Sequence, residues 1–165
     1  MALLELAQVT KRYGGIVAVN EATFSVEEGT ITSLIGPNGA GKTTAFDTIS
    51  SVIEVDSGTI RYAGKDITKL RPHAVTKLGI GRTFQVTREL GDMTVVENLA
   101  VASVPTRFKS LAGRRVYQGE RDRAMDVLDF LGIQKLANEF AKNLSYGQRK
   151  LLELASVLMT EPNLI

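Results

Sequence analysis

Residues Gly36-Pro37-Asn38-Gly39-Ala40-Gly41-Lys42-Thr43-Thr44 fit the pattern Gly-x4-Gly-Lys-Ser/Thr without a mismatch. No other stretch constrains the fold as much, because such a loop is expected between a strand and the start of a helix. Both flanks suit that role: Thr30 to Ile35 reads as a buried strand, and Thr43 to Ile53 reads as a helix. Glycines let successive N–H groups curl around a polyphosphate in conformations that a Cβ obstructs. A helix opening at Lys42 adds free N–H groups and the positive end of its dipole. In that geometry Lys42 places a cation on the β- and γ-phosphates, Thr43 offers a hydroxyl to magnesium, and Thr44 can donate to a phosphate oxygen. The competing reading is a plain glycine turn, but average residue usage makes a chance match on the order of one in a hundred or rarer.

The rest of the chain is compatible with one domain of this kind. It has 165 residues, ordinary globular composition and a formal charge of only +2, so its overall field gives no reason to expect nucleic acid as a partner. It has no cysteine, hence no disulfide, thiolate metal site or cysteine nucleophile. No apolar run approaches the roughly 20 residues needed to span a bilayer, and Glu5 stands where a signal peptide carries basic residues. A cytosolic location is therefore expected.

In chain order, Leu4, Leu6 and Val9 open an alternating run, followed by short strands at Ile16 to Val19 and Ala22 to Val26. Tight turns between them imply antiparallel pairing. A strand at Thr59 to Tyr62, a helix at Pro72 to Leu78 and a strand at Ile80 to Phe84 follow. Thr94-Val95-Val96-Glu97 has the form of a capping box and predicts a helix over about Val95 to Ser103. Pro105 to Gly119 reads as a basic loop. Ala124, Val127, Leu128 and Leu131 share one helix face ahead of a Gly132 cap, and Leu151, Leu154, Ala155 and Leu158 repeat the spacing until Glu161-Pro162. Asn163-Leu164-Ile165 reads as the beginning of a strand.

Leu144-Ser145-Tyr146-Gly147-Gln148 resembles the Leu-Ser-x-Gly-Gln signature of ATP-binding cassette (ABC) ATPases, and it falls at about the distance from the glycine loop that those domains use. Tyr13 and Gln85 match two further landmarks, the aromatic residue for adenine and the glutamine of the Q-loop. Within the family, Gly81-Arg82-Thr83-Phe84-Gln85, Met93 to Leu99 and Arg149-Lys150-Leu151-Leu152-Glu153 look like ATPase subunits of branched-chain amino acid and urea importers. The resemblance implies an α/β fold: a P-loop NTPase core with a parallel sheet (1–90 and 160–165), an N-terminal antiparallel β subdomain and a helical signature subdomain (about 91–159). It also implies binding of ATP and magnesium, with Tyr13 stacking on adenine and Gln85 meeting magnesium or the attacking water. Two cassettes, identical or not, pack head to tail, so that Ser145, Gly147 and Gln148 face the nucleotide held by residues 36–44 of the other chain. The resemblance further implies membrane permeases as partners, contacted near Val86 to Leu90 and the helical subdomain, on the inner face of the cell membrane.

Taken alone, Ser145 is a helix N-cap, Tyr13 a strand-end tyrosine and Gln85 a loop glutamine. His73 and the basic residues from Arg107 to Arg123 read as solvated, and Met125 and Met159 as core filling. The family pattern continues with a strand ending in Asp-Glu and then a switch histidine, and none of these is present up to Ile165. The expectation is a fragment of a longer subunit, inactive in hydrolysis and unstable alone. A nucleotide-binding module without catalysis and a soluble non-transport ABC ATPase are the alternatives.

Overall fold

Leu4 and Leu6 keep the two-residue period of a half-buried strand, whereas Val9 falls one residue out of phase with them, yet all three side chains are buried. A bulge reconciles them: Gln8 adopts a left-handed conformation (φ 51°) inside the long strand β1 (Ala2–Tyr13), which shifts the following residues to the other phase. The structure is a computed structural model and describes residues 2–83, 89–103 and 118–165. After the Gly14-Gly15 turn the chain returns as β2 (Ile16–Glu27), a single strand in place of the two short ones expected. Its interruption is a second bulge at Glu21 (φ 47°). Two threonines take up the backbone groups that the bulges release. Gln8 N–H donates to Thr23 Oγ1 (3.0 Å), and Glu21 N–H donates to Thr10 Oγ1 (3.1 Å).

Helix α1 (Lys42–Ile49) follows β2, and then come β3 (Ser57–Tyr62), β4 (Lys65–Asp66) and α2 (Pro72–Lys77). The four strands form one antiparallel sheet in the order β2-β1-β3-β4. Leu4, Leu6, Val9, Ile60, Tyr62, Ile67 and Val75 bury the apolar side of this unit, which spans Met1–Leu78. Asp56 closes the β1 end of the sheet: its carboxylate accepts from the Arg12 N–H (2.5 Å) and the Lys11 ammonium (3.2 Å). Those bonds, the Arg12 amide first, hold its pKa below the ordinary 3.8.

One expectation is overturned here. Thr30 to Ile35 forms no strand; it runs as irregular chain with Ile31 fully exposed and Ile35 90 % exposed. A strand exists only through partners that take its N–H and C=O groups. Among the described residues, parallel pairing is confined to the single bridge Ile80↔Leu164, and nothing pairs with 30–35. The expected strand at Ile80 to Phe84 is likewise reduced to that bridge, supported by Gly81 N–H donating to Leu164 O (2.7 Å), and Phe84 lies outside the described residues.

The second unit, Gly79–Ile165, is built on α3 (Val95–Ser103), α4 (Gln118–Phe130) and α5 (Tyr146–Leu158). The Thr94–Glu97 box forms as read, with Thr94 N–H donating to Glu97 Oε2 (2.8 Å) and Glu97 N–H to Thr94 Oγ1 (3.3 Å). Leu99, Leu128 and Leu152, one from each helix, are completely or almost completely buried together with Val95, Ala124, Ala155 and Met159. Gly132, with φ 69°, ends α4 as expected. The basic loop lies largely outside the described residues. Arg123, however, is not merely solvated: it donates to Met159 O (2.8 Å) and pairs with Glu161 (2.7 Å), capping the C-terminal end of α5.

Candidate functional site

The glycine loop leaves the irregular 30–35 segment and reaches α1 through two left-handed glycines, Gly39 (φ 83°) and Gly41 (φ 81°). Gly41 is the N-cap of α1 and packs directly on β2. A Cβ there would lie 2.0 Å from the Ala18 carbonyl oxygen and 3.5 Å from Val19 Cγ2. Only glycine meets both the dihedral and the approach.

Lys42 folds back into the loop, its ammonium donating to Gly36 O (2.7 Å) and Pro37 O (2.6 Å). Ala40 N–H donates to Pro37 O (3.2 Å), which tightens the same turn. The first turn of α1 has no side-chain cap and no acidic residue, so its N–H groups and dipole end face the loop uncompensated. Thr43 is exposed and Thr44 half-buried, and neither hydroxyl has a hydrogen-bond partner among the described residues. These groups fit a polyphosphate: an uncapped helix start, one ammonium folded into the loop and no acidic residue in the first turn of α1. For magnesium the described residues hold no group of three or more His, Cys, Asp or Glu side chains that could bind a metal ion, and the Thr43 hydroxyl is the oxygen that the first turn of α1 could offer beside a bound phosphate.

Tyr13 ends β1 with its ring half exposed and the Lys11 ammonium 5.6 Å from the ring centroid. Its cross-strand partner is Ile16, two residues before the Ala18 carbonyl on which Gly41 rests. The hairpin end and the glycine loop are thus neighbours within the first unit.

Ser145 and Gln148 stand at the start of α5 in the second unit and form a reciprocal box. Ser145 Oγ accepts from Gln148 N–H (3.4 Å), and Gln148 Oε1 accepts from Ser145 N–H (2.8 Å). The spacing Ser-x-x-Gln is itself the pattern for such a box, so Gln148 was legible as a capping residue. Tyr146 is largely exposed, and a Cβ on Gly147 would meet nothing within 4 Å. Gln85 and residues 86–88 lie outside the described residues; Leu90 is half-exposed. Asn98, which sequence reasoning passed over, is buried and holds the backbone that follows: it accepts from Leu90 N–H (2.8 Å) and donates to the carbonyls of Leu90 (3.1 Å) and Thr94 (2.9 Å).

A phosphate-cradling loop beside a half-exposed aromatic hairpin, with a separate helical unit opening on a Ser-Tyr-Gly-Gln box, defines a nucleotide-binding cassette. The family model described as ABC transporter matches residues 19–165, and the chain belongs to that family. It is 41 % identical over its whole length to the probable branched-chain amino acid transport ATP-binding protein LivG of Archaeoglobus fulgidus, covering 66 % of that protein. It is 38 % identical over 99 % of its length to the high-affinity branched-chain amino acid transport ATP-binding protein BraF of Pseudomonas aeruginosa, covering 67 %. Among solved structures, the ADP conformation of MJ1267, an ATP-binding cassette of an ABC transporter, superposes with a TM-score of 0.87 at 34 % identity over 98 % of this chain and 66 % of the other. MJ0796, a bacterial ABC transporter cassette solved as a dimer, gives 0.81 at 26 % identity over 96 % and 70 %. The chain spans about two thirds of the length of the curated relatives it matches.

Proposed function

We propose that this chain is the ATP-binding part of an ABC importer subunit that takes up branched-chain amino acids or a similar small polar solute. The observation that carries this is the glycine loop, with Lys42 held on its own carbonyls and the first turn of α1 left without a side-chain cap. The transport ATP-binding relatives supply the solute class. ATP is bound at residues 36–44 with adenine on Tyr13, and Thr43 and Gln85 are the residues that would hold magnesium, which would supply positive charge to offset that of the phosphates. Lys42 exchanges its two carbonyl acceptors for phosphate oxygens, a swap of neutral acceptors for charged ones. The α1 amides orient the phosphates, and the Tyr13 ring offers a π face worth roughly 1–3 kcal/mol in comparable base stacking.

In a head-to-tail pair of cassettes, Ser145, Gly147 and Gln148 of one chain face the γ-phosphate bound by the other. The solved dimer of the related cassette MJ0796 supports such pairing. Permease contacts fall near Val86 to Leu90 and on the helical unit, at the inner face of the membrane, and nucleic acid is not a partner. No helix among the described residues is long and apolar enough to cross a membrane.

Titration with MgATP tests the assignment. Lys42→Ala should weaken binding by at least about tenfold, the worth of one charge-assisted contact. Gly147→Val has room in the chain; it should leave that binding unchanged and abolish hydrolysis in the assembled ATPase. Equal loss of binding in both variants would contradict this division of roles.

A further inference from the structure

Arg149, on the first turn of α5, uses three nitrogens on three partners. Nε donates to Leu144 O (3.0 Å), one terminal nitrogen donates to Lys142 O (3.0 Å), and the other lies 3.3 Å from Glu89 Oε1. The two carbonyls flank Asn143 and lead directly into Ser145, so Arg149 fixes the backbone that sets the position of the signature serine. Glu89 comes from a distant stretch, four residues after Gln85 in the sequence. Its side chain is only 15 % exposed, and its second oxygen, Oε2, is buried with no hydrogen-bond partner among the described residues. A buried carboxylate with half its acceptor capacity unused is costly to keep for stability alone.

The backbone on either side of this pair is already joined. Lys142 N–H donates to Gly91 O (3.2 Å), Ala141 N–H donates to Met93 O (3.0 Å), and Asn98 holds Leu90. Segment 89–93 and segment 141–145 are therefore registered without the ion pair. The other charged link between them, Lys142 with Asp92 (3.0 Å), is largely solvent-exposed and adds little. What Glu89 adds is control of one guanidinium, and through it of the carbonyls at 142 and 144.

We infer that Glu89 and Arg149 are positioning residues for the signature: Glu89 orients the Arg149 guanidinium, which places Ser145 and Gly147 for the nucleotide of the paired cassette. This rests on the role given above to Ser145 and Gly147. Neither residue touches nucleotide. Their effect falls on the step that needs the signature in place, while binding at residues 36–44 is independent of them.

The test is steady-state ATP hydrolysis by the assembled transporter carrying Glu89→Ala, Glu89→Asp, Arg149→Ala or the double Ala variant, with MgATP affinity and melting temperature measured alongside. Glu89→Ala should lower kcat about fivefold or more with KM for ATP within about twofold, the pattern of a contact needed beyond ground-state binding. Its melting temperature should stay close to wild type, because the backbone bonds between the segments remain. Glu89→Asp should recover most of the rate, and the double variant should be no slower than Arg149→Ala. Wild-type kcat in Glu89→Ala, a rate loss matched by a fall in melting temperature, or multiplying effects in the double variant would each overturn the inference. A wild-type protein that binds no MgATP would instead overturn the underlying assignment.

Discussion

Replacing Gly41 and Gly39 by alanine in parallel separates two costs that the glycine loop combines. Both residues sit at almost the same left-handed φ, 81° and 83°. Alanine at either position therefore carries the strain of that conformation, about 1–2 kcal/mol. Their surroundings differ sharply: a Cβ at Gly39 meets nothing within 4 Å, whereas a Cβ at Gly41 lies 2.0 Å from Ala18 O and 3.1 Å from its carbonyl carbon. Ordinary contact needs more than 3 Å, so the loop or β2 must move by over an ångström, and both are backbone. Overpacking of that kind costs about 1–3 kcal/mol. Gly41→Ala should therefore lie below Gly39→Ala by about that amount, or some 2–12 °C in melting temperature at about 2–4 °C per kcal/mol. Differential scanning calorimetry measures the gap. A fluorescent-nucleotide titration should show the same ranking, since the shift displaces the amides of Lys42 and Thr43. Equal melting temperatures and equal affinities for the two variants would refute the argument that β2 packing is what requires glycine at 41.

Other outcomes follow from the two units separately. Leu128→Ala empties a fully buried site between the three helices and should cost about 2–5 kcal/mol, read by chemical denaturation. Gln148→Ala removes the N3 half of the α5 box, one hydrogen bond to the Ser145 N–H, and should cost about 0.5–1.5 kcal/mol by the same measurement. Asp56 has a folded pKa below 3.8, so its contribution is complete above that value and is lost as pH falls through the lower folded one. Melting curves of wild type and Asp56→Asn should differ at neutral pH and converge in acid.

Local patterns were legible and long-range pairings were not. The glycine loop, the Thr94–Glu97 box, the Gly132 cap and the helical periods of α4 and α5 each depend on residues within a few positions of one another. All appear where the chain predicts them. The segment Thr30 to Ile35 has the composition of a strand, but pairing is decided by other parts of the chain, and it stays irregular. The bulge at Glu21 was equally hidden: it broke the period of β2 and made one strand read as two. Asp56 meets Arg12 across 44 positions and Glu89 meets Arg149 across 60, separations at which no spacing rule operates. At the candidate site, the residue types were evident in advance. Lys42's attachment to its own loop and the placement of the Tyr13 hairpin beside Gly41 required three dimensions.

The box at the start of α5 explains why serine, among the good helix caps, suits position 145. As a cap, Ser145 uses only a lone pair, accepting from Gln148 N–H, and its own hydroxyl hydrogen stays available to a second acceptor. Aspartate caps a helix as well as serine does. It has no proton to give, however, and it would set a negative charge against any phosphate brought to that helix end. Asparagine keeps neutrality but offers its donors from a longer, differently directed side chain. A hydroxyl is the small neutral group that can hold the helix with one side of its oxygen and an anion with the other.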